Sequence, residues 1–346
     1  MNAHYKTFKA FVKLGTFLDR YCKGESRGDP WIERLDDSII LAGQQNGWFT
    51  EENVLFALQH WSRLLNEKSL GAWLANYEIP KRQPLKVAII MAGNIPLVGF
   101  HDFLCVMSTG NVAMVKLSSN DRALFQFISD YLTNIEPSFK DRILIVEGQL
   151  KGFDAVIATG SNNTARYFEH YFGKGPNIIR KNRTSIAVLS GKETPDRLLA
   201  LGEDVFRYYG LGCRSVSKLL VPHNYDFDAF FKAIYPYRTI IDQIKYQNNY
   251  DYNKAVYLMS EFKILDNGFL MLKEDRSNAS PIASLFYEKY DDLSDLDVQL
   301  SNDRENLQCI VSDGFKMGEV PFGQSQFPSL TDYADGIDVV DFLLKI

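Results

Sequence analysis

The sequence contains little of what metal centres and disulfide frameworks are built from, with four cysteines and five histidines in 346 residues. The cysteines form no CxxC motif and no Cys/His ligand spacing; they are Cys22, Cys105, Cys213 and Cys309. We therefore predict neither a disulfide framework nor a metal site, and cysteines scattered in this way are typical of a reducing, cytoplasmic compartment. The histidines are equally scattered, and none is assigned a catalytic role.

Runs of one charge and long apolar runs are also absent. The net charge is -5 with both signs mixed, so a nucleic acid partner is not expected. No apolar run approaches the roughly 20 residues that span a bilayer, and we predict no integral membrane segment. Lysines interrupt the first segment where a signal peptide needs apolar residues. At helical spacing the apolar residues of this segment fall on one face, which favours a helix packed on its own domain over one at a membrane surface. The predicted apolar face of that helix consists of Tyr5, Phe8, Phe11, Val12 and Leu18.

The chain is long enough for two domains, because single cores stop growing near about 250–300 residues. Strands and helices alternate through its middle, which predicts an α/β fold with parallel sheets and right-handed crossovers. The predicted strands are 85–91, 112–117, 143–146, 154–159, 185–189 and 218–221, and the predicted helices are 50–65, 100–107, 120–132, 161–172 and 226–234. Beyond residue 235 the pattern is weaker, with short strands at 262–265 and 269–272 and acidic turns around Asp291-Asp292.

One cysteine stands between a glycine turn and a strand. Thr194-Pro195 is typical of an N-cap followed by proline in the first helical turn, so a helix is predicted from there toward Tyr209, broken by Gly210 and Gly212. Cys213 follows this break and precedes the strand predicted at 218–221. The pattern supports an exposed nucleophile and, equally, a buried cysteine that acts as a small hydrophobe.

Three strand ends in the first sheet carry polar or small residues, and ligands bind at such ends in open α/β sheets. Asn94 follows the first strand beside a proline, either as a turn residue or as a hydrogen-bond donor toward developing negative charge. Lys116 ends the second strand and faces a ribose, a phosphate or only solvent. Gly160-Ser161 opens a helix, where a ligand can approach backbone N–H groups. The chain has no GxGxxG or Walker motif.

Four of these segments together resemble the aldehyde dehydrogenase superfamily: Asn94-Ile95-Pro96, the strand from Gly110-Asn111 to Lys116, Thr159-Gly160-Ser161, and Gly212-Cys213 followed by Ser217-Lys218. The resemblance implies two Rossmann-like parallel-sheet domains with the active site in the cleft between them. It also implies that Cys213 is the nucleophile and Asn94 an oxyanion donor. The domains expected on this basis are a helical cap with a nicotinamide-cofactor domain over 1–190, a catalytic domain over 191–318, and a segment 319–346 that returns to the first domain.

The sequence departs from the superfamily in one informative place. Where oxidising members have Glu-Leu-Gly-Gly, this chain has Arg180-Lys181-Asn182-Arg183, so the carboxylate that would activate water is missing. Glu203 and Glu319 are the candidates to replace it. The short chain, the missing glutamate and the closing segments 320–323 and 333–336 are most similar to bacterial acyl-CoA reductases related to the fatty acid reductase of bioluminescence.

This resemblance implies reduction of an acyl thioester to an aldehyde through an acyl-enzyme on Cys213, with CoA as the leaving group. NADPH is expected ahead of NADH, because Ser119 stands where NAD-preferring members have a glutamate. The expected cofactor contacts are Lys116, Ser118, Ser119, Gly160, Ser161 and Glu319, the last from a loose match to the superfamily's Glu-x-Phe-Gly. An acyl phosphate reductase and an inactive homologue acting as a binding protein are the alternatives, and a homo-oligomer is left open.

Overall fold

A computed structural model of the protein describes residues 3–25, 28–315 and 319–346, without the side chains of Ala3, Asn162 and Glu319. Its helices are α1 (Ala3–Cys22), α2 (Pro30–Gln45), α3 (Glu51–Leu64), α4 (Glu67–Leu74), α5 (Phe100–Ser108), α6 (Ala123–Ile135), α7 (Asn162–Phe172), α8 (Pro195–Phe206), α9 (Phe227–Ile234), α10 (Ile244–Met259), α11 (Leu293–Asn302) and α12 (Val339–Lys345). Its strands are β1 (Lys86–Ile90), β2 (Val112–Lys116), β3 (Ile143–Ile145), β4 (Ala155–Thr159), β5 (Asn177–Arg180), β6 (Thr184–Val188), β7 (Val216–Pro222), β8 (Ile264–Asp266), β9 (Met271–Glu274), β10 (Ser284–Tyr290), β11 (Leu307–Val311) and β12 (Glu319–Val320).

The chain divides into two compact units. Unit 1 comprises Met1–Asn182 and Ser329–Ile346, and unit 2 comprises Arg183–Pro328. We placed sequence boundaries after residues 190 and 318, whereas the chain passes between the units after Asn182 and after Pro328. As limits of independently folding domains, the sequence boundaries remain a prediction.

Unit 1 contains a five-stranded sheet in the order β3-β2-β1-β4-β5, with every neighbouring pair parallel. Side chains of one strand alternate between its two faces: Val87 and Ile89 join the larger core with the helices before and after the sheet, whereas Ala88 joins a smaller cluster with Phe168 and Phe172 of α7. Burial of both faces explains the nearly continuous apolar strands. The order reverses between β1 and β4, which is the switch point of a doubly wound fold.

The first helix packs into the larger core of unit 1. Phe11 and Leu18 are buried as expected, but Tyr5 is 47% exposed and does not belong to the buried face. The prediction is wrong for Tyr5, whereas Phe8 and Val12 pack partly buried against the same core, which also includes Leu14 and Phe17. Gly15 lies where the helix approaches the end of α3 most closely.

Unit 2 contains a seven-stranded sheet in the order β12-β11-β6-β7-β10-β9-β8, parallel except between β8 and β9. One face packs on α8 and α9 through Leu219 and Val221, and the other on α11 through Leu220. The α/β prediction with two parallel sheets is therefore confirmed, and the aldehyde-dehydrogenase-like class is compared with known structures below.

Several element boundaries differ from the sequence predictions. The helix expected to reach Tyr209 ends at Phe206, because Tyr208 and Tyr209 adopt left-handed φ values of 55° and 58°. The acidic turn predicted around Asp291-Asp292 leads into a helix that the sequence analysis did not predict: the Asp292 side chain accepts a hydrogen bond from Ser294 N at 2.6 Å and caps α11. Alternating sequence patterns also gave no signal for α2, α10, β5, β10 or β11.

Within the described ranges, no helix is both long and apolar enough to cross a membrane.

We predict that Gly15→Ala destabilises the protein although alanine is the better helix former. A Cβ at this position would lie 2.0 Å from Leu65 O and 2.7 Å from Leu65 Cβ. Overpacking costs about 1–3 kcal/mol, and because this contact is with backbone we expect the cost to exceed the helix-propensity gain of about 1 kcal/mol. Gly71→Ala in α4 is the matched control, because nothing lies within 4 Å of its Cβ position. Urea unfolding should show Gly71→Ala at or above wild-type stability, and an equally stable Gly15→Ala would contradict this close approach.

Candidate active site

Cys213 lies in a turn over residues 212–215, directly before β7. Ser215 N donates to Gly212 O at 3.0 Å and closes the turn. Three residues with left-handed backbone lead into it: Tyr208, Tyr209 and Gly210. Cys213 is exposed, whereas Cys105 and Cys309 are buried. The local structure therefore leaves Cys213 at the surface of the described chain, and the sequence pattern alone does not decide between exposure and burial.

A buried serine that the sequence analysis did not single out supports this turn. Ser185 of β6 is fully buried, and its hydroxyl donates to Cys213 O at 2.9 Å while it accepts from Cys309 N at 3.1 Å. One hydroxyl thus satisfies the carbonyl of the candidate nucleophile and a backbone N–H of β11. No sequence signal marks Ser185, because its partners are 28 and 124 residues away.

The lysine of the Ser217-Lys218 pair is buried and engaged inside unit 2. The Lys218 ammonium lies 2.6 Å from Glu288 Oε2, 2.8 Å from Arg276 O and 3.4 Å from Asn278 Oδ1. An ammonium has three donors, and these three acceptors account for all of them. Lys218 therefore anchors the segment 276–278 and is not a cation available to a substrate.

Asn94 lies in the turn after β1, and its side chain is exposed. Three residues later Leu97 has a left-handed φ of 58°, a conformation that is uncommon outside glycine. Its N–H donates to Asp121 Oδ2 at 2.7 Å. Asp121 is buried, and its Oδ1 has no hydrogen-bond partner among the residues that the structure describes. Burial raises the pKa of this carboxyl to about 7 against the opposing effect of the Leu97 hydrogen bond.

The turn before Asn94 lies against the loop that follows β2. A Cβ on Gly93 would come within 2.5 Å of Ser118 Oγ, so glycine permits the close approach. Asn46 bridges the two loops, because its amide Nδ2 lies 3.3 Å from Gly93 O and 3.5 Å from Asn120 O. The sequence predicted a functional role for Asn94 and Ser118 separately, and the fold brings their loops together.

The remaining residues predicted to contact a cofactor in unit 1 lie at the same edge of the sheet. Lys116 is the last residue of β2, is half-buried and donates to Gly148 O at 3.1 Å. Gly160 follows β4, and Ser161 caps α7 with its hydroxyl 3.2 Å from Thr164 N. Ser119 is exposed in the loop after β2. Polar groups and small residues at a switch-point edge fit a nucleotide cofactor, because backbone N–H groups there stay accessible.

Positions 180–183 contain no carboxylate, and Arg180, the first of their two arginines, forms an ion pair inside unit 1. Arg180 ends β5, is buried and forms a bidentate ion pair with Asp102 of α5, with Nη2 to Oδ1 at 2.9 Å. The candidate replacement Glu203 has both oxygens engaged by Arg207, Oε1 by Nε at 2.5 Å and Oε2 by Nη2 at 3.1 Å. Glu319 is the first residue of β12, and its side chain lies outside what the structure describes.

The predicted site residues thus fall into two groups. Asn94, Lys116, Ser118, Ser119, Gly160 and Ser161 belong to unit 1, and Cys213 and Glu319 belong to unit 2. Within the parts of the chain that the structure describes, no group of three or more His, Cys, Asp or Glu residues is arranged to hold a metal ion.

A family described as Acyl-CoA reductase (LuxC) matches residues 48–234, more than half of the chain. This chain belongs to the LuxC acyl-CoA reductase family. The match includes the turn after β1, the strand that ends at Lys116, the start of α7 and the Cys213 turn. No curated protein matches this LuxC-family chain.

Solved structures similar to this LuxC-family protein are aldehyde dehydrogenases. The P. syringae indole-3-acetaldehyde dehydrogenase AldA, in complex with NAD+ and IAA, has a TM-score of 0.64 at 13% identity and covers 88% of this chain and 70% of its own. Aldehyde dehydrogenase 21 from Physcomitrella patens has a TM-score of 0.65 at 12% identity, with coverage of 100% and 84%. An NAD-dependent aldehyde dehydrogenase from Sinorhizobium meliloti has 0.65 at 12%, with 92% and 72%. The aldehyde-dehydrogenase-like fold is therefore confirmed.

We predict that Asp121→Asn stabilises the protein increasingly as the pH rises from about 4 to about 7. The folded-state pKa of about 7 lies above the ordinary pKa of 3.8 for an aspartate, so in this range the folded protein binds more protons than the unfolded chain. Asp121 therefore lowers the free energy of unfolding by up to about 1.4 kcal/mol per pH unit, and its contribution is flat above pH 7.

Urea unfolding of both proteins between pH 4.5 and 8 measures this difference, which should grow to the order of 3 kcal/mol. The exposed Asp141→Asn serves as the control. A wild-type minus Asp121→Asn difference that does not change with pH would show that the Asp121 carboxyl does not retain its proton on folding.

Proposed function

We propose that this LuxC-family protein reduces an acyl thioester to an aldehyde with a nicotinamide cofactor, through an acyl-enzyme on Cys213. The family and the fold support an aldehyde-related oxidoreductase. The observation that supports an acyl-enzyme on Cys213 is the exposure of this residue in a turn whose Cys213 carbonyl accepts a hydrogen bond from buried Ser185. A nucleophile needs an accessible thiol in a fixed position.

In the proposed acylation step, the Cys213 thiolate attacks the thioester carbonyl carbon and forms a C–S bond. The carbonyl oxygen becomes an oxyanion, which accepts hydrogen bonds from the Asn94 side-chain amide and the Cys213 backbone N–H. Collapse of this tetrahedral species breaks the bond to the CoA sulfur. CoA leaves as a thiolate that takes up a proton, and the acyl group stays on Cys213.

Reduction then converts the acyl-enzyme into a thiohemiacetal on Cys213. The nicotinamide cofactor supplies, when bound, the hydride that reduces the acyl carbon. Asn94 and the Cys213 N–H again stabilise the negative charge on the oxygen. The thiohemiacetal releases the aldehyde as the Cys213 thiolate departs, so the enzyme regains its thiol.

We propose that the cofactor is held by Lys116, Ser118, Ser119, Gly160 and Ser161, with Glu319 as a further contact. The nicotinamide class is supported by aldehyde dehydrogenases of the same fold with bound NAD+. NADPH is proposed ahead of NADH, because Ser119 presents no carboxylate to repel a 2′-phosphate and the Lys116 ammonium attracts one. The ratio of kcat/KM for the two cofactors measures this preference.

The contacts of Lys218 weigh against an acyl phosphate as the substrate. A small anionic substrate needs accessible cations, and the sequence offered Arg214 and Lys218 near Cys213. Lys218 is buried against Glu288 and two further acceptors, and Arg214 donates through Nε to Ser325 O. The carbonyl group of a thioester does not require such cations beside Cys213.

A mass increase on Cys213 after incubation with acyl-CoA would distinguish an active enzyme from an inactive homologue that acts as a binding protein.

We predict that Cys213→Ala lowers turnover by about 10⁴-fold or more, because no neighbouring group replaces a nucleophile that forms the covalent intermediate. Cys22→Ser is the matched control and should retain wild-type activity, since Cys22 lies in α1 of unit 1. The measurement follows oxidation of the reduced cofactor with acyl-CoA as substrate. Substantial turnover by Cys213→Ala would refute the mechanism.

Asn94→Ala is expected to lower kcat by about 10²–10³-fold, the usual effect of removing one oxyanion donor. Asn94→Asp, which keeps the size but removes the donor and adds negative charge, should fall at least as far. Rapid-quench detection of the acyl adduct on Cys213 locates the loss in acylation. If both variants acylate at the wild-type rate, Asn94 is only a turn residue.

The missing carboxylate predicts slow hydrolysis of the acyl-enzyme, because loss of general-base assistance costs about 10²–10⁴-fold. Given an aldehyde and oxidised cofactor, the enzyme should produce a burst of reduced cofactor and then stall, and added CoA should restart it with release of a thioester. Cys213→Ala should give no burst. Sustained formation of the free carboxylic acid without CoA would mean that Glu203, Glu319 or another group acts as the base.

A further inference from the structure

The Cys213 turn is also held by a second segment, residues 323–326, in which Gly323, Ser325 and Gln326 are buried and Gln324 is exposed. Arg214 Nε donates to Ser325 O, and Ser215 Oγ accepts from Gln326 Nε2 at 3.4 Å. Ser325 and Gln326 are buried. The two residues after the candidate nucleophile are therefore fixed by consecutive residues of a segment more than a hundred positions away in the sequence.

A carboxylate of helix α8, that of Asp204, also binds the segment 323–326. Asp204 is fully buried, and its Oδ2 accepts from Gly323 N at 2.6 Å while Oδ1 accepts from Ser325 N at 2.8 Å. Gly323 has a left-handed φ of 78°, and a Cβ there would lie 3.1 Å from Ala200 Cβ of α8. Glycine thus lets the segment approach the helix closely enough for its N–H to reach Asp204.

Burying the Asp204 carboxylate costs desolvation free energy, which its two backbone hydrogen bonds offset. Burial raises the pKa of Asp204 to about 6, against the opposing effect of the two backbone hydrogen bonds. An apolar residue at this helix position would avoid the desolvation of a charge. Here each of the two carboxylate oxygens accepts one backbone N–H, so a single side chain holds both groups.

We propose that Asp204 is a positioning residue for Cys213, which it fixes through the segment 323–326 and the contacts of that segment with Arg214 and Ser215. The proposal rests on the proposed role of Cys213 as nucleophile. Asp204 itself forms no bond to substrate or cofactor. Its effect is therefore on the orientation of the thiol toward a bound thioester and not on the intrinsic reactivity of the thiol.

The test compares Asp204→Asn with the wild type and with Asp196→Asn, an exposed carboxylate at the start of the same helix. Asparagine keeps the size but has one acceptor oxygen, so one of the two N–H bonds is lost. We expect acylation of Cys213 by acyl-CoA, followed by rapid quench, to slow by about 10–100-fold with little change in KM, since small misplacements of reacting groups cost this much. Asp196→Asn should acylate at the wild-type rate.

Alkylation by iodoacetamide, read at the Cys213 peptide by mass spectrometry, provides the contrasting measurement. This small electrophile needs no fixed orientation, so its rate should change by less than about threefold while acylation falls. The buried Cys309 reports folding, because it becomes labelled only if unit 2 opens. If Asp204→Asn fails this folding control, Gln326→Leu decides, since it breaks the contact to Ser215 and leaves Asp204 paired; it should also slow acylation.

A folded Asp204→Asn that acylates at the wild-type rate would overturn the proposal, as would wild-type acylation by Gln326→Leu if Asp204→Asn does not fold. Equal losses in acylation and alkylation would also overturn it, because Asp204 would then act on thiol reactivity. Failure of the proposed function has a different signature: the wild-type enzyme itself would form no acyl adduct on Cys213.

Discussion

Parallel strand pairing is the constraint on which the rest of this protein depends. Every pair in the sheet of unit 1 is parallel, so the carboxyl ends of β1, β2 and β4 emerge at one edge. Each connection must return along a face of the sheet, which buries both faces and requires continuous apolar strands. Turns at the carboxyl edge are then the places where backbone and polar side chains are left accessible. The residues proposed for cofactor binding in unit 1 lie in such turns or, for Lys116, at the last position of a strand.

Buried polar groups hold turns of both units in their conformations. Asp121 accepts the N–H of the strained Leu97, Ser185 binds the carbonyl of Cys213, and Asp204 binds two N–H groups of the segment 323–326. A buried polar group costs free energy unless it is hydrogen-bonded. Each of these side chains therefore favours one local conformation over its alternatives. Apolar packing holds the sheets together but does not select the conformation of an exposed turn.

The same principle applies at positions 180–183, where the sequence departs from the aldehyde dehydrogenase superfamily that it resembles. Arg180 is not an exposed substitute for a catalytic residue, because it is buried and paired with Asp102. Glu203 is likewise committed to Arg207. Charged groups whose hydrogen-bonding atoms are already engaged in this way are poor candidates for activating water. A chemistry in which a thiol, and not water, accepts the acyl group is consistent with this distribution of charges.

Local sequence patterns determined the α/β class, most strands of the first sheet and the caps of helices such as α7 and α8, because these depend on neighbours within a few residues. Motif order predicted Cys213 and Asn94 as site residues, and that assignment remains a prediction. The patterns did not reveal Ser185, Asp121 or Asp204, and they extended the helix before Cys213 to Tyr209 instead of Phe206. Only tertiary structure decided these features, since their hydrogen bonds join residues 24 to 124 positions apart. The sequence thus determined which side chains could react, and the long-range contacts decided which of them is exposed and what holds it in place.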